Sequence, residues 1–101
     1  MNSVRTVSTT KAVFQTAYPR PIASVYRRVV EELLVELHLV TVQSTFVYDP
    51  FFALGFVTIY DALMEAYQSE SQREAIFAGL CRALQLKPEV LRQNASTLLI
   101  W

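Results

Sequence analysis

Apolar residues recur at helical spacing through residues 21–40 and predict one long amphipathic helix. Pro21 has the backbone angle favoured at a first helical position, and Pro19 prevents an earlier helix from running through. Projected at 100° per residue, the apolar side chains fall on one broad arc: Ile22, Val25, Tyr26, Val29, Val30, Leu33, Leu34, Leu37 and Val40. The pattern therefore predicts that this helix forms the core of the fold.

Charged residues occupy most of the opposite side of the same helix. Arg27 precedes Glu31 by four residues, and Arg28 precedes Glu32 by four, so both pairs are predicted to be exposed ion pairs of about 0.3–0.5 kcal/mol each. His38 is interpreted as a surface or interface histidine. Glu36 projects between two apolar residues, so it is predicted to be partly buried beside an arginine.

Start signals predict four further helices. Ser8 is predicted to cap the first of them, Asp49 followed by Pro50 opens the third helix of the chain, and Ser71 with Glu74 forms a capping box for the fourth. The segment between the second and third helices is predicted to be an extended connector. The four helices are predicted over residues 6–17, 50 to about 67, 72 to about 85, and from 88 onward.

These elements predict an all-α fold, a compact bundle of about five helices in one domain over residues 1–101. The third helix is apolar nearly all round, which predicts that others surround it, with a close approach across Gly55, Ala62 and Ala66. The last helix lacks a C-terminal stop signal. We therefore expect the bundle to be truncated there and to self-associate through an exposed patch of Leu98, Leu99 and Trp101.

Composition excludes several functional classes. Hydrophobic residues make up 52% of the chain and charged residues only 18%, against a usual share of charge of about 25%, which predicts contact with a partner. Nine basic and nine acidic residues are scattered, so no nucleic-acid surface is predicted. Cys81 is the single cysteine, which rules out an internal disulfide. The longest apolar run has ten residues, about half of a membrane span.

No catalytic, cofactor-binding or metal site is predicted. His38 and Glu31 are seven residues apart, about 10 Å along a helix, too far to share a metal ion. Asp61 and Glu65 are interpreted as a partly solvated stripe. Five tyrosines near helix ends leave two interpretations open, a binding surface together with Arg20 and Arg27 or residues that close off the core: Tyr18, Tyr26, Tyr48, Tyr60 and Tyr67.

Several stretches carry a resemblance to a known family: RTVSTTKAVF, YPRPIASVYRRVVEELLVELHL, YDPFFALGFVTIYDALMEAY, REAIFAGLCRAL and LKPEVLRQNA. In this order they resemble the N-terminal half of the thylakoid formation protein family, also described as photosystem II biogenesis proteins. The match runs from about Arg5 to Ala95, and residues 20–39 are its most specific part. Members of this family continue past this length into further helices.

The resemblance implies a non-enzymatic, peripheral protein on the cytoplasmic face of cyanobacterial thylakoids. It implies a role in photosystem II biogenesis and repair, with photosystem II components and an FtsH-type membrane protease as partners. The partner-binding residues are predicted on the polar side of the second helix, at Arg27, Arg28, Glu31 and His38. The alternative is a free-standing soluble helical adaptor or degenerate fragment with no photosynthetic role.

Overall fold

A computed structural model describes residues 5–99 and consists there of five α-helices and irregular connections. The all-α prediction is confirmed. The described part is flat, with principal extents of 42 × 37 × 18 Å. The helices are α1 (Val7–Ala17), α2 (Ser24–Thr41), α3 (Pro50–Leu63), α4 (Glu70–Ala83) and α5 (Pro88–Leu99).

The core lies where α3, α4 and α5 meet, with α1 packed on α4. α4 buries six of its residues, whereas the longer α2 buries only Val30, Leu34 and His38. The prediction that α2 forms the core is therefore wrong. The apolar arc of α2 is real, but Val25 remains 71% exposed and Val40 41% exposed, because α2 packs mainly on α1 at one side of the flat bundle.

Three helices begin after a residue whose side chain accepts a hydrogen bond from a backbone N–H, although this residue is not always the predicted one. Asp49 accepts a hydrogen bond from the backbone N–H of Phe52, as predicted. Thr6, rather than Ser8, caps α1, and Ser69, rather than Ser71, caps α4. In both cases a competing hydroxyl two residues earlier accepts the N–H bond, so the predicted cap residue lies inside the first turn.

The start of α2 differs more. The helix begins at Ser24 after Ala23, which makes no side-chain cap hydrogen bond, so Pro21 is not its first residue. Tyr18 and Ile22 are both buried, at 5% and 9% exposure. The chain between them is irregular, with a bend at Arg20, and the helix begins three residues later than predicted.

The predicted close approach across Gly55 is also wrong. A Cβ built on Gly55 would meet nothing within 4 Å, and Ala62 and Ala66 are exposed. The close approach is instead at Gly79 on α4, where a Cβ would lie 3.2 Å from the Phe14 ring of α1. The close helix approach was predicted at a glycine of α3, whereas the glycine at the contact between α1 and α4 is Gly79.

The end of α4 contains a backbone strain that a substitution can relieve. Gln85 has a φ of 63°, the left-handed conformation that follows many helices, and the N–H of Leu86 bonds to the carbonyl of Cys81 at 2.7 Å. Gln85 is exposed, so its side chain contributes little packing. Non-glycine residues are disfavoured in this conformation by about 1 kcal/mol.

Gln85→Gly is therefore expected to stabilise the fold by about 0.5–1 kcal/mol. Thermal denaturation should show a rise of a few degrees in Tm. The matched control is Gln15→Gly, at an exposed interior position of α1, where glycine should lower stability by about as much. Equal effects of the two substitutions would contradict the assignment of strain to Gln85.

Candidate functional site

The polar side of α2 keeps most of the predicted partner-binding residues on the surface. Arg27 bonds to Glu31 at 3.0 Å and Arg28 to Glu32 at 3.4 Å, which confirms both predicted pairs. The side chain of Arg28 is 83% exposed, and those of Arg27 and Glu31 are nearly half exposed. Exposed pairs of this kind contribute little to stability, so their charges remain free to contact another molecule.

His38 does not belong to this surface. Its side chain is only 4% exposed, and its Nδ1 lies 2.8 Å from the hydroxyl oxygen of Thr10 on α1. The prediction of a surface histidine is wrong, because α1 crosses α2 at this turn and Thr10 provides the polar partner that a buried imidazole requires. No signal within α2 distinguished His38 from its exposed neighbours, since the partner comes from another helix.

The prediction for Glu36 is also wrong, but here a residue predicted to be partly buried lies at the surface. It is exposed, and within residues 5–99 it takes part in none of the ion pairs. The helix wheel placed it among apolar residues, but Val25, one of those residues, is itself in solvent. A carboxylate in water requires no cation, so the predicted arginine partner is not needed.

A broad depression of about 820 Å³ runs along this side of α2. Val29, Leu33 and Leu63 contribute apolar surface to it, and Arg27, Arg28, Glu31, Glu32 and Glu36 contribute charges of both signs. We call these eight residues the α2 surface. An apolar area surrounded by mixed charge is the usual composition of a protein contact, and the arrangement contains no convergent set of groups suited to bond cleavage.

Among residues 5–99, the one cluster that joins charges from three helices has a structural role. The guanidinium of Arg92 on α5 bonds at 2.8 Å to both Asp61 on α3 and Glu74 on α4, and it lies 4.4 Å from the centre of the Phe77 ring. Burial by itself would lower the pKa of Arg92, but the hydrogen bond and charge of Asp61 and the charge of Glu74 raise it. The guanidinium therefore stays charged and ties the helices together.

The structure favours the second interpretation of the five tyrosines, namely that they close off the core. The Tyr60 hydroxyl donates to the carbonyl of Arg73 at 2.6 Å, and the Tyr48 hydroxyl donates to the Asn94 side chain at 2.7 Å. Tyr26 and Tyr67 pack edge to face with ring centres 4.9 Å apart. All five tyrosines are buried or half-buried, so they close off the core rather than form one exposed surface.

Candidate catalytic chemistry is weak within the described residues. Burial raises the pKa of the Cys81 thiol to about 12, so the thiol is neutral and unreactive at physiological pH. No group of His, Cys, Asp and Glu within residues 5–99 is placed to hold a metal ion. Among the same residues, no helix combines the length and apolar character needed to cross a membrane.

The described residues thus form a small all-α fold. The exposed side chains that could contact another molecule lie on the faces of its helices. The sequence model of the thylakoid formation protein family matches residues 6–101. The chain belongs to the thylakoid formation protein family.

Individual relatives agree with this assignment. Protein Thf1 of Synechococcus sp. (strain JA-2-3B'a(2-13)) is 76% identical over 98% of this chain, and Protein Thf1 of Nostoc punctiforme is 51% identical over 97% of it. A solved structure of Psb29 superposes with a TM-score of 0.88 at 52% identity, covering 92% of this chain. The chain spans 41% and 42% of the two relatives and 50% of the Psb29 chain.

Proposed function

We propose that this chain is a non-enzymatic peripheral protein at the cytoplasmic face of cyanobacterial thylakoids, where it supports thylakoid formation and photosystem II biogenesis and repair. Membership of the thylakoid formation protein family carries this proposal. The cyanobacterial relatives and the likeness to Psb29 support it further. The buried, neutral thiol of Cys81 and the enclosed position of His38 favour action by contact over catalysis.

An FtsH-type membrane protease and photosystem II components are the proposed partners, and the α2 surface is the proposed contact. Its ion pairs lie within one helix, so they can be rearranged by a partner without disturbing the core. The proposed contact residues are Arg27, Arg28 and Glu31. His38 is omitted because it is buried against Thr10.

Replacing Arg27 and Glu31 together by Ala is expected to reduce capture of the FtsH-type protease from detergent-solubilised cyanobacterial thylakoids by about fivefold or more, as expected when contact residues are truncated. Tm should change by only a degree or two, because an exposed pair contributes about 0.3–0.5 kcal/mol. Affinity capture with quantitative immunoblotting measures the first effect, and thermal denaturation measures the second.

The matched control replaces Glu70 and Arg73 by Ala, which removes another acid–base pair one turn apart, on α4. This control should capture the protease as the parent does. Equal capture by all three proteins would place the contact outside the α2 surface. Absence of protease in every capture would reject this partner, and absence of photosystem II components as well would favour the adaptor without a photosynthetic role.

A further inference from the structure

The outer side of α3 presents an apolar face that the other described residues leave uncovered. Phe51 is 72% exposed, Ile59 51% and Leu63 43%. Thr58 and Ala62 are also exposed, and the space beyond Gly55 is open for at least 4 Å. The α3 face, as we use the term, consists of Phe51, Gly55, Thr58, Ile59, Ala62 and Leu63.

This face has the character of a packing surface. Within Pro50–Leu63 the only charged residue is Asp61, and its carboxylate is held by Arg92. Gly55 and Ala62 are two turns apart, so their small size leaves a shallow channel along which another helix can approach closely. A contiguous exposed apolar face on a small soluble fold marks a contact site, and the lack of charge requires an apolar partner.

The length of the relatives indicates which partner covers the α3 face. They share most of this chain's sequence, yet 59% of the Synechococcus relative and half of the Psb29 chain lie outside the matched part. We propose that this remaining part of the family chain packs an apolar helix on the α3 face, either within one polypeptide or as a separate one. When both parts belong to one molecule, their high effective concentration favours this contact over a second copy.

This inference does not depend on the proposed protease. The α3 face and the α2 surface lie on different helices and share only Leu63. The α3 face serves completion of the family fold, and the α2 surface remains available to partners. A variant can therefore disable one surface and leave the other intact, which allows the two proposals to fail separately.

A thiol introduced on the α3 face reports directly on its coverage. Cys81 is fully buried, and burial raises its pKa to about 12, so it should remain unlabelled by a thiol reagent in the native state. Thr58→Cys places a reactive thiol on the α3 face, and Ser96→Cys places one on the exposed side of α5 as the matched control. Each variant is labelled in two contexts, this chain alone and a fusion.

In the fusion, the residues of the Synechococcus relative that lie outside the matched part are joined to this chain. They are attached at the same terminus as in that relative. We expect labelling of Thr58→Cys to be about tenfold slower in the fusion, as for a site that opens only transiently, and labelling of Ser96→Cys to be unchanged. Adding Ile59→Asp should restore fast labelling of Thr58→Cys in the fusion, whereas Val25→Asp, at an exposed valine of α2, should not.

Equal labelling of Thr58→Cys in both contexts would overturn the proposal. Equal slowing of both thiols would also overturn it, because it would show a general effect of the fusion. If labelling of Thr58→Cys in this chain alone slows as its concentration rises, and the fusion adds nothing, a second copy covers the face instead. Adding the same relative's residues as a separate polypeptide distinguishes assembly in trans from packing within one chain.

Discussion

Replacing Gly79 by Val is expected to lower the free energy of unfolding by about 2–3 kcal/mol. A Cβ at this position would lie 3.2 Å from one ring carbon of Phe14 and 3.4 Å from the Cβ of Tyr18. Both neighbours are buried, at 8% and 5% exposure, so neither can move into solvent without uncovering the core. The added methyl groups of valine must therefore push α1 away from α4.

Chemical or thermal denaturation checks this expectation, and the loss corresponds to a fall in Tm of about 10–20 °C for a domain of this size. The matched control is Gly55→Val on α3, where a Cβ meets nothing within 4 Å. That substitution gains about 0.5 kcal/mol of helix propensity and should leave stability unchanged or slightly higher. If both variants lose the same stability, the cost belongs to valine in a helix and the close approach of α1 to α4 has no energetic importance.

Arg92→Met is expected to destabilise the fold by about 2 kcal/mol near neutral pH. The substitution removes two ion pairs of about 0.5–1 kcal/mol each, discounted because Asp61 and Glu74 are about half exposed. It also removes the cation above the Phe77 ring, about 0.5–1 kcal/mol. The two carboxylates are then left without the cation that held them together, whereas methionine still covers part of the ring.

The ionic part of this loss is separable by experiment. Asp61→Asn and Glu74→Gln in the Arg92→Met background should cost less than the same two changes in the parent, because the cation that they paired with is already absent. Arg82→Met is the control, since Arg82 is exposed and forms no ion pair within residues 5–99. Strict additivity of the substitutions in urea denaturation would show that Arg92 acts through packing alone.

Local sequence signals predicted much of the helical framework. Asp49 and Pro50 open α3 as predicted because capping involves only neighbouring residues. Helical spacing also coincides with burial along α4 and its C-cap, where the apolar residues are all buried: Ile76, Phe77, Leu80, Cys81, Ala83 and Leu84. The two ion pairs of α2 were likewise predictable, since a spacing of four residues fixes their geometry within one helix. The family resemblance is confirmed over residues 6–101.

The sequence predicted only part of the α2 surface. Arg27, Arg28 and Glu31 lie on the surface as expected, but whether they bind a partner stays a prediction. Self-association through the last helix also stays a prediction; Leu99 is 72% exposed, and Trp101 lies outside the described residues.

Tertiary structure alone decided which helix faces are buried against which. A helix wheel shows that a residue shares a side with apolar neighbours, but burial requires another helix at that side. His38 is buried because Thr10 of α1 meets it, while Val25, on the apolar arc of α2, remains in solvent. A Cβ at Gly79 would press against α1, whereas a Cβ at Gly55 would meet nothing within 4 Å. The sequence by itself determined the helices and the family of the chain. Packing between distant segments determined the core, the α2 surface and the α3 face. The reason is that burial depends on contacts that no local pattern encodes.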